Sequence, residues 1–236
     1  MKELFPLFGV IAIPQTPFDD ADRIDMDSFV RGIDDRLAAG VDGLLGPVVA
    51  SEVGQLTFAE RRSLVTRMLE VVAGRVPVVV GASADDPDDV RAMAEFATGL
   101  GATGVLVQAP VRLMNDPAAT VDYFKVVCEA PIPMLMIQDL EWGGPGLPIP
   151  TIVRLFDEIE PFRCIKVETV PAGSKYTAVL EATGGRLNVS GGWAVPQLIE
   201  ALDRGIHGVM PGGLHWVLVE VVRRYRNGDR ASARDL

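Results

Sequence analysis

One lysine interrupts an otherwise apolar segment, Cys164–Glu168. If this segment is a β-strand, its side chains alternate between two faces, so Cys164, Lys166 and Glu168 share one face. A lysine in such surroundings is seldom fully buried without a partner. Burial also favours the neutral amine, the form that attacks a carbonyl carbon. The pattern therefore predicts either a Schiff-base lysine at position 166 or a buried ion pair with Glu168 or Glu52.

Proton transfer would require further polar groups beside this lysine. Glu168 lies two residues from Lys166 on the same strand face, so it is the candidate proton shuttle, with a plain salt bridge as the alternative. Gln138 and Asp139 end another apolar segment, Pro133–Asp139. Both are predicted to contact a substrate where that segment ends.

Two Gly-Gly pairs each precede a predicted helix: Gly191-Gly192, which follows Ser190, and Gly212-Gly213. Backbone amides at such a turn bind phosphate next to a helix N-terminus. Alternatively, the missing side chains let a substrate or another backbone segment approach closely. The sequence alone leaves both possibilities open.

Short apolar runs alternate with longer segments of helical periodicity along the whole chain. The runs are mostly continuous, which is typical of parallel strands covered on both faces. The predicted strands are Gly9–Pro14, Gly43–Val48, Val76–Ala82, Gly104–Pro110, Pro133–Asp139, Cys164–Glu168, Arg186–Gly191 and Gly208–Gly212. Eight such βα units close into a (β/α)8 TIM barrel or wind into an open sheet. Similar αβ turns around Gly40, Gly101 and Gly205 favour the α/β barrel.

Two local signals refine this picture. Thr57 and Glu60 have the spacing of a capping box, which predicts a helix start after Thr57. The segment Trp142–Pro150 is rich in Gly and Pro and follows the fifth strand. Barrel active sites form on that side, so the segment is predicted to be a mobile rim loop.

The composition narrows the classes of partner. The 236 residues carry a net charge of −10, which argues against nucleic acid and anionic membranes. No window is long and apolar enough to span a bilayer, and a cytoplasmic location is predicted. The two cysteines, Cys128 and Cys164, are predicted to be reduced thiols. No metal or cofactor is predicted, because neither ligand clusters nor nucleotide-binding motifs occur.

The order and spacing of several short motifs resemble the dihydrodipicolinate synthase / N-acetylneuraminate lyase family of class I aldolases. These motifs are Thr16-Pro17-Phe18 with Asp25, Glu52 with Leu56-Thr57 and Glu60-Arg61, Pro131-Ile132-Pro133, Ile165-Lys166, and Ser190-Gly191-Gly192. The resemblance runs from Gly9 to the C-terminus. It implies a TIM barrel in which Lys166 is the Schiff-base lysine.

Some positions differ from the family pattern. Val48–Glu52 stands where the family has Gly-Thr-Thr-Gly-Glu, whose hydroxyls and amides hold a carboxylate. The resemblance implies that Ala50, Ser51 and Glu52 form this part of the site, with backbone amides binding the carboxylate. The family's relay tyrosines align with Ile137 and Arg112, so another group must move protons.

The resemblance implies a Schiff-base lyase, aldolase or dehydratase acting on pyruvate or a 2-keto acid such as a keto-deoxy sugar acid. It also implies a homo-oligomer, a dimer or a tetramer. Residues 1–227 are predicted to form the barrel and residues 228–236 the start of a C-terminal helical extension, the family's helical bundle being largely absent. Two alternatives are a barrel that binds a phosphorylated ligand through its Gly-Gly turns and a non-catalytic binding or regulatory protein.

Overall fold

Eight parallel strands pair in sequence order and close into a barrel in the computed structural model, which describes residues 2–236 apart from the side chains of 194–196. Pairing of Gly9 with Gly208 joins the last strand to the first. The strands are β1 (Gly9–Ala12), β2 (Gly43–Gly46), β3 (Val78–Gly81), β4 (Gly104–Gln108), β5 (Leu135–Leu140), β6 (Phe162–Glu168), β7 (Asn188–Gly191) and β8 (Gly208–Val209). The predicted (β/α)8 barrel is confirmed.

A helix follows every strand, and a short ninth helix ends the chain. The helices are α1 (Met26–Ala39), α2 (Phe58–Val72), α3 (Pro87–Gly99), α4 (Pro117–Val127), α5 (Ile149–Glu158), α6 (Ala172–Ala182), α7 (Ala194–Asp203), α8 (His215–Arg226) and α9 (Arg230–Arg234). Strand β8 is shorter than the predicted Gly208–Gly212, since Pro211 has no amide hydrogen to extend the ladder.

Local sequence signals fix where several helices begin and end. Thr57 accepts a hydrogen bond from the backbone amide of Glu60, whose side chain bonds back to Thr57, which is the predicted capping box. The three αβ turns predicted to be alike have positive φ at Gly40, Gly101 and Gly205. A side chain at these positions would strain the backbone, so glycine favours each turn.

Side-chain alternation divides the core into two layers. Side chains such as Ile11, Leu45 and Leu106 fill the inside of the barrel. The larger cluster lies between the strands and the surrounding helices and includes Ile137 and Ile165. A residue's position in this alternation therefore determines whether it faces the barrel interior or the helices.

Helix α8 packs on the barrel wall next to α1, and α9 packs on α7 and α8. Asp35 accepts hydrogen bonds from His215 Nε2, at 2.7 Å, and Trp216 Nε1, at 3.0 Å, which ties α8 to α1.

Cys128 and Cys164 are both free, as predicted, and burial raises the pKa of the Cys128 thiol to about 12. Across residues 2–236, no helix has the length and apolar character needed to cross a membrane.

Candidate active site

A row of polar side chains crosses four neighbouring strands at one level of the barrel. The strand register pairs Gln108 with Gln138, Gln138 with Lys166, and Lys166 with Ser190. All four follow the alternation of inward-facing residues such as Leu106 and Cys164, so the row lines the barrel interior near the carboxyl ends of the strands.

Lys166 lies in this row and is almost completely buried, only 2% exposed. Its Nζ atom is 3.1 Å from Oε1 of Glu168. The other carboxylate oxygen of Glu168 accepts a hydrogen bond from the side-chain amide of Gln138. The ion pair that the sequence left open is therefore present. It also holds an amine and a carboxylate within proton-transfer distance, as the predicted shuttle requires.

Glycine makes room for Glu168. A Cβ atom at Gly192 would lie 2.1 Å from Glu168 Cγ and 2.2 Å from its Oε1. The Gly192 amide donates to Val167 O at 3.1 Å, so it is not free to bind an anion. The space that the missing side chain of Gly192 leaves at this turn is therefore occupied by the protein's own Glu168 side chain.

Gly191 and Ser190 face opposite ways. A Cβ atom at Gly191 would meet the hydroxyl of Tyr176 on α6 at 2.7 Å, outside the barrel wall. The Ser190 hydroxyl points inward and donates to Asn188 Oδ1 at 3.3 Å. Ser190 thus lies beside Lys166 in the row, whereas Gly191 is a packing position.

The loop after β2 uses most of its polar groups internally. Ser51 Oγ donates to Pro14 O at 2.7 Å, and the Ser51 amide donates to Val48 O at 2.8 Å. Thr16, on the neighbouring loop, donates to Ser51 O at 2.7 Å. These bonds occupy the hydroxyl hydrogen and the amide that the sequence assigned to a substrate carboxylate. The structure therefore favours a role for Ser51 in fixing the loop and not, as predicted, in binding the carboxylate.

The residues on either side of Ser51 are more exposed to solvent than Ser51 itself. Ala50 and Glu52 are both exposed, and Glu52 has a φ of 57°, in the left-handed region. The amide of Glu52 donates to Val49 O at 3.0 Å, which leaves its carboxylate as the free polar group. Ala50 lies near Gly212, where a Cβ atom would approach the Ala50 methyl group to 3.4 Å.

Asp139 does not lie at the barrel mouth as predicted. Gln138 points inward, so strand alternation turns Asp139 outward, toward α6. Its carboxylate is fully buried, 2.9 Å from Lys175 Nζ, and accepts a hydrogen bond from the Leu147 amide at 2.7 Å. Burial raises the pKa of Asp139, and the nearby Lys175 ammonium opposes that shift. This position favours a structural role for Asp139 over substrate contact.

The same ion pair fastens the loop between β5 and α5. Lys175 Nζ donates to Pro145 O and Leu147 O, each at 2.5 Å. Glu141 accepts a hydrogen bond from the Gly146 amide at 2.8 Å. These contacts favour a fixed loop, whereas the sequence predicted a mobile one.

Two aromatic rings lie on the rim near the end of β6. Trp142, on the β5–α5 loop, packs edge to face against Trp193, which precedes α7, with ring centroids 5.4 Å apart. Trp142 is exposed, whereas Trp193 is half-buried. The pair joins the loops that flank the strand carrying Lys166 and Glu168.

A cleft that the sequence did not predict opens beside the row. It has a volume of about 700 Å³, and Arg61, Ser83, Gln108 and Arg112 are among its lining residues. A smaller cavity of about 40 Å³ shares Arg61, Ser83 and Gln108 and reaches Gln138. Arg61 stood out in the sequence only as part of the Glu60-Arg61 motif, which does not reveal what its side chain faces.

Among the described residues, no group of three or more His, Cys, Asp or Glu side chains is placed to hold a metal ion. The fold and the buried lysine define a TIM barrel with a lysine side chain inside the end where barrel active sites form. Comparison with known proteins then gives the family. The profile of the dihydrodipicolinate synthetase family matches residues 6–236. The chain belongs to this family.

Individual relatives of the chain include a dehydratase, a hydratase-aldolase and a synthase. L-2-keto-3-deoxyarabonate dehydratase of Azospirillum brasilense is 31% identical over 211 residues, which is 87% of this chain and 68% of that protein. Trans-2'-carboxybenzalpyruvate hydratase-aldolase of Nocardioides sp. is 34% identical over 52% of this chain and 39% of that protein. The crystal structure of dihydrodipicolinate synthase from Rhodopseudomonas palustris aligns with a TM-score of 0.87 at 25% identity, covering this whole chain and 80% of that one.

Proposed function

We propose that the protein is a Schiff-base lyase or dehydratase that acts on pyruvate or a longer 2-keto acid through Lys166. The observation that carries the proposal is the Lys166–Glu168 pair, a buried amine with an adjacent carboxylate at the end of the barrel where substrates enter. Relatives named as a dehydratase and a hydratase-aldolase support the type of reaction.

The chemistry begins when Lys166 gives a proton to Glu168 and its free amine attacks the ketone carbon. The new carbon–nitrogen bond moves the carbonyl electron pair onto oxygen, and the proton that the nitrogen must lose passes to that oxygen through Glu168, which forms a carbinolamine. Glu168 then gives the proton it took from Lys166 to the hydroxyl, which leaves as water and yields an iminium. The iminium accepts the electron pair released when the adjacent C–H or C–C bond breaks, which is how covalent catalysis lowers the barrier.

Glu168 is the residue proposed to move these protons. Its Oε1 atom faces the amine, and its second oxygen is held by Gln138, so the carboxylate is oriented without being shielded from the lysine. A positioned general acid–base group contributes roughly 10²- to 10⁴-fold to rate. Gln138 and Ser190 lie beside Lys166 in the barrel row and are proposed to contact the substrate.

Ala50 and Glu52 are proposed to form the outer part of the site, where the family places its carboxylate-binding loop. Gly192 contributes by leaving space for Glu168 rather than by binding an anion. Glu168 also argues against phosphate at the first Gly-Gly turn, because it would place one negative charge against another. A homo-oligomer and a cytoplasmic location remain predictions.

Deuterium exchange tests the proposal without knowledge of the full substrate. In D2O, a Schiff base with pyruvate converts to an enamine and exchanges the methyl protons, which NMR detects as loss of the methyl signal. The wild-type protein should speed this exchange, and Lys166→Met should abolish it. Lys125→Met, a change to an exposed lysine, is the matched control and should leave the rate unchanged.

The absence of both exchange and adduct formation would contradict the proposal. If the wild-type protein neither accelerates exchange nor gives a borohydride adduct with pyruvate or 2-keto-3-deoxy sugar acids, the Schiff-base mechanism is wrong. The alternative of a non-catalytic barrel would then be favoured.

A further inference from the structure

The cleft beside the barrel mouth contains a buried cation that the proposed chemistry does not use. Arg61, on α2, is only 9% exposed and lines the cleft. One terminal nitrogen, Nη2, donates to Gly81 O at 3.2 Å and Ser83 O at 3.1 Å. Its Nε atom is buried without a hydrogen-bond partner. Among the described residues no carboxylate forms an ion pair with the guanidinium, and the charge of the more distant Asp89 compensates it only in part.

A buried guanidinium without an ion pair favours the binding of an anion. A buried cation is costly unless an anion neutralises it, and carbonyl oxygens at one nitrogen compensate only part of that cost. A guanidinium carries five donors in a planar fork that matches a carboxylate. Because Nε is enclosed, the terminal nitrogens of Arg61 are the donors suited to an anion entering the cleft.

The charge of the cleft supports the same conclusion. Arg61 and Arg112 line it together with a single carboxylate, that of Asp85. The cleft thus has an excess of positive charge, although the chain as a whole has a net charge of −10. Local positive charge in an acidic protein favours one kind of ligand, a small anion, at this place.

The cleft is connected to the reactive lysine. Gln108 lines it and is separated from Lys166 by a single strand, through the register with Gln138. Neighbouring strands lie about 4.8 Å apart, so Gln108 and Lys166 are roughly 10 Å apart along the wall. A bound molecule of five or six carbons would extend from the Lys166 amine toward the cleft.

We infer that this cleft binds a second carboxylate at the far end of the substrate, with Arg61 as its main contact. The preferred substrate class would then be dicarboxylic 2-keto acids. This inference rests on the proposed Schiff-base function, because it assumes that the ketone end of the substrate is held at Lys166. Arg61 acts as a specificity-determining residue and takes no part in bond breaking.

Borohydride trapping measures this preference directly. The half-saturating concentration for adduct formation is compared between 2-oxoadipate and 2-oxohexanoate, which have the same carbon chain but differ in the distal carboxylate. Wild-type protein should require at least about tenfold less 2-oxoadipate, since a hydrogen bond to a charged group contributes that much. Equal half-saturating concentrations would overturn the inference.

Variants then assign the preference to a residue. In Arg61→Gln the ratio of the two half-saturating concentrations should fall toward one. Arg67→Gln, on the exposed side of the same helix, is the matched control and should keep the wild-type ratio. If Arg61→Gln does not fold, Arg112→Gln replaces it and should reduce the ratio. A ratio unchanged in the folded variant contradicts the assignment.

A measurement that needs no Schiff base separates the two proposals. Adipate has both carboxylates of 2-oxoadipate but no ketone. It should raise the melting temperature of the wild-type protein more than that of the Arg61 variant. If no 2-keto acid is trapped but adipate still protects through Arg61, the Schiff-base function fails and the anion site stands. If acids are trapped and adipate gives no Arg61-dependent protection, the anion site fails.

Discussion

The Nζ atom of Lys166 lies 3.1 Å from Oε1 of Glu168, and both side chains extend from the same face of β6 into the barrel. This distance allows a proton to pass directly between the two groups. It also means that the amine and its partner are positioned by one strand, so their separation does not depend on a loop.

Replacing Glu168 by Gln should separate Schiff-base formation from proton transfer. Gln has nearly the same shape but cannot accept a proton from the substrate. The rate of pyruvate methyl exchange should fall by about 10²- to 10⁴-fold, while the borohydride adduct at Lys166 should still form on long incubation, more slowly than in the wild-type protein. Glu181→Gln, at an exposed position on α6, is the control. Wild-type exchange in Glu168→Gln would show that another group is the shuttle.

Gly192→Ala should displace Glu168. The added methyl group would lie 2.1 Å from Glu168 Cγ, so the carboxylate must move away from Lys166. Overpacking of this kind costs about 1–3 kcal/mol of stability, and exchange activity should fall with it. Gly213→Ala is the matched control, because its Cβ meets nothing within 4 Å. Equal activity in both variants would mean that the space at Gly192 is not needed.

Lys175→Met should destabilise the loop between β5 and α5. It leaves the fully buried carboxylate of Asp139 without its cation. Breaking a buried pair in this way costs about 3–5 kcal/mol. Adding Asp139→Asn should recover most of the loss, because the amide can still accept the hydrogen bond from Leu147. Denaturant unfolding of the single and double variants measures both effects.

The loss in Lys175→Met should also depend on pH. Burial raises the folded-state pKa of Asp139 above its unfolded value of 3.8, and removing Lys175 strengthens that shift. A raised carboxyl pKa contributes stability at low pH that is lost as pH rises through the folded pKa. The variant should therefore lose more stability at about pH 7 than at about pH 5. A loss that is the same at both pH values would contradict this account.

His207 should make the fold sensitive to acid. Its Nδ1 atom accepts a hydrogen bond from the Val189 amide at 2.9 Å, which requires the neutral ring at that nitrogen. Burial lowers the pKa of His207 below 6.5. A lowered histidine pKa gives stability that is full above the unfolded value and is lost as pH falls toward the folded value.

His207→Asn tests this assignment, because the Asn carbonyl can accept the same hydrogen bond but does not titrate. The wild-type protein should lose more stability than His207→Asn between about pH 7.5 and about pH 5. The free energy of unfolding, measured at both pH values, gives the comparison. Parallel losses in the two proteins would exclude His207 as the source.

Repeating local patterns explain why the fold and the central pair were predictable. Continuous apolar runs and glycine-ended helices predicted eight βα units and favoured the barrel over an open sheet, and strand alternation put Lys166 and Glu168 on one face. The same alternation applied to β5 would have turned Asp139 away from Gln138. The prediction that Asp139 lies at the mouth is therefore wrong for a reason that the sequence itself contains: two consecutive strand residues cannot both face the barrel interior.

Other features depend on contacts between distant segments. Ser51 is engaged by Pro14, and Asp139 by Lys175 on the next helix, and no spacing along the chain encodes those pairings. Arg61 has the pattern of an ordinary residue in the first turns of α2, but folding directs it against the end of β3. Tertiary packing decides which side chains of different elements meet, and local sequence patterns do not encode that packing.

The most direct test of the central role of Lys166 is to locate the reduced pyruvate adduct by peptide mapping. Trypsin cleaves after Lys166 and Lys175 in unmodified protein, whereas an adduct at Lys166 blocks cleavage there. Trapping with pyruvate and borohydride should therefore yield the uncleaved peptide Cys164–Lys175, heavier by pyruvate less one water plus two hydrogens. An adduct on another lysine, or cleavage at Lys166 with no modified peptide, would contradict the proposed function.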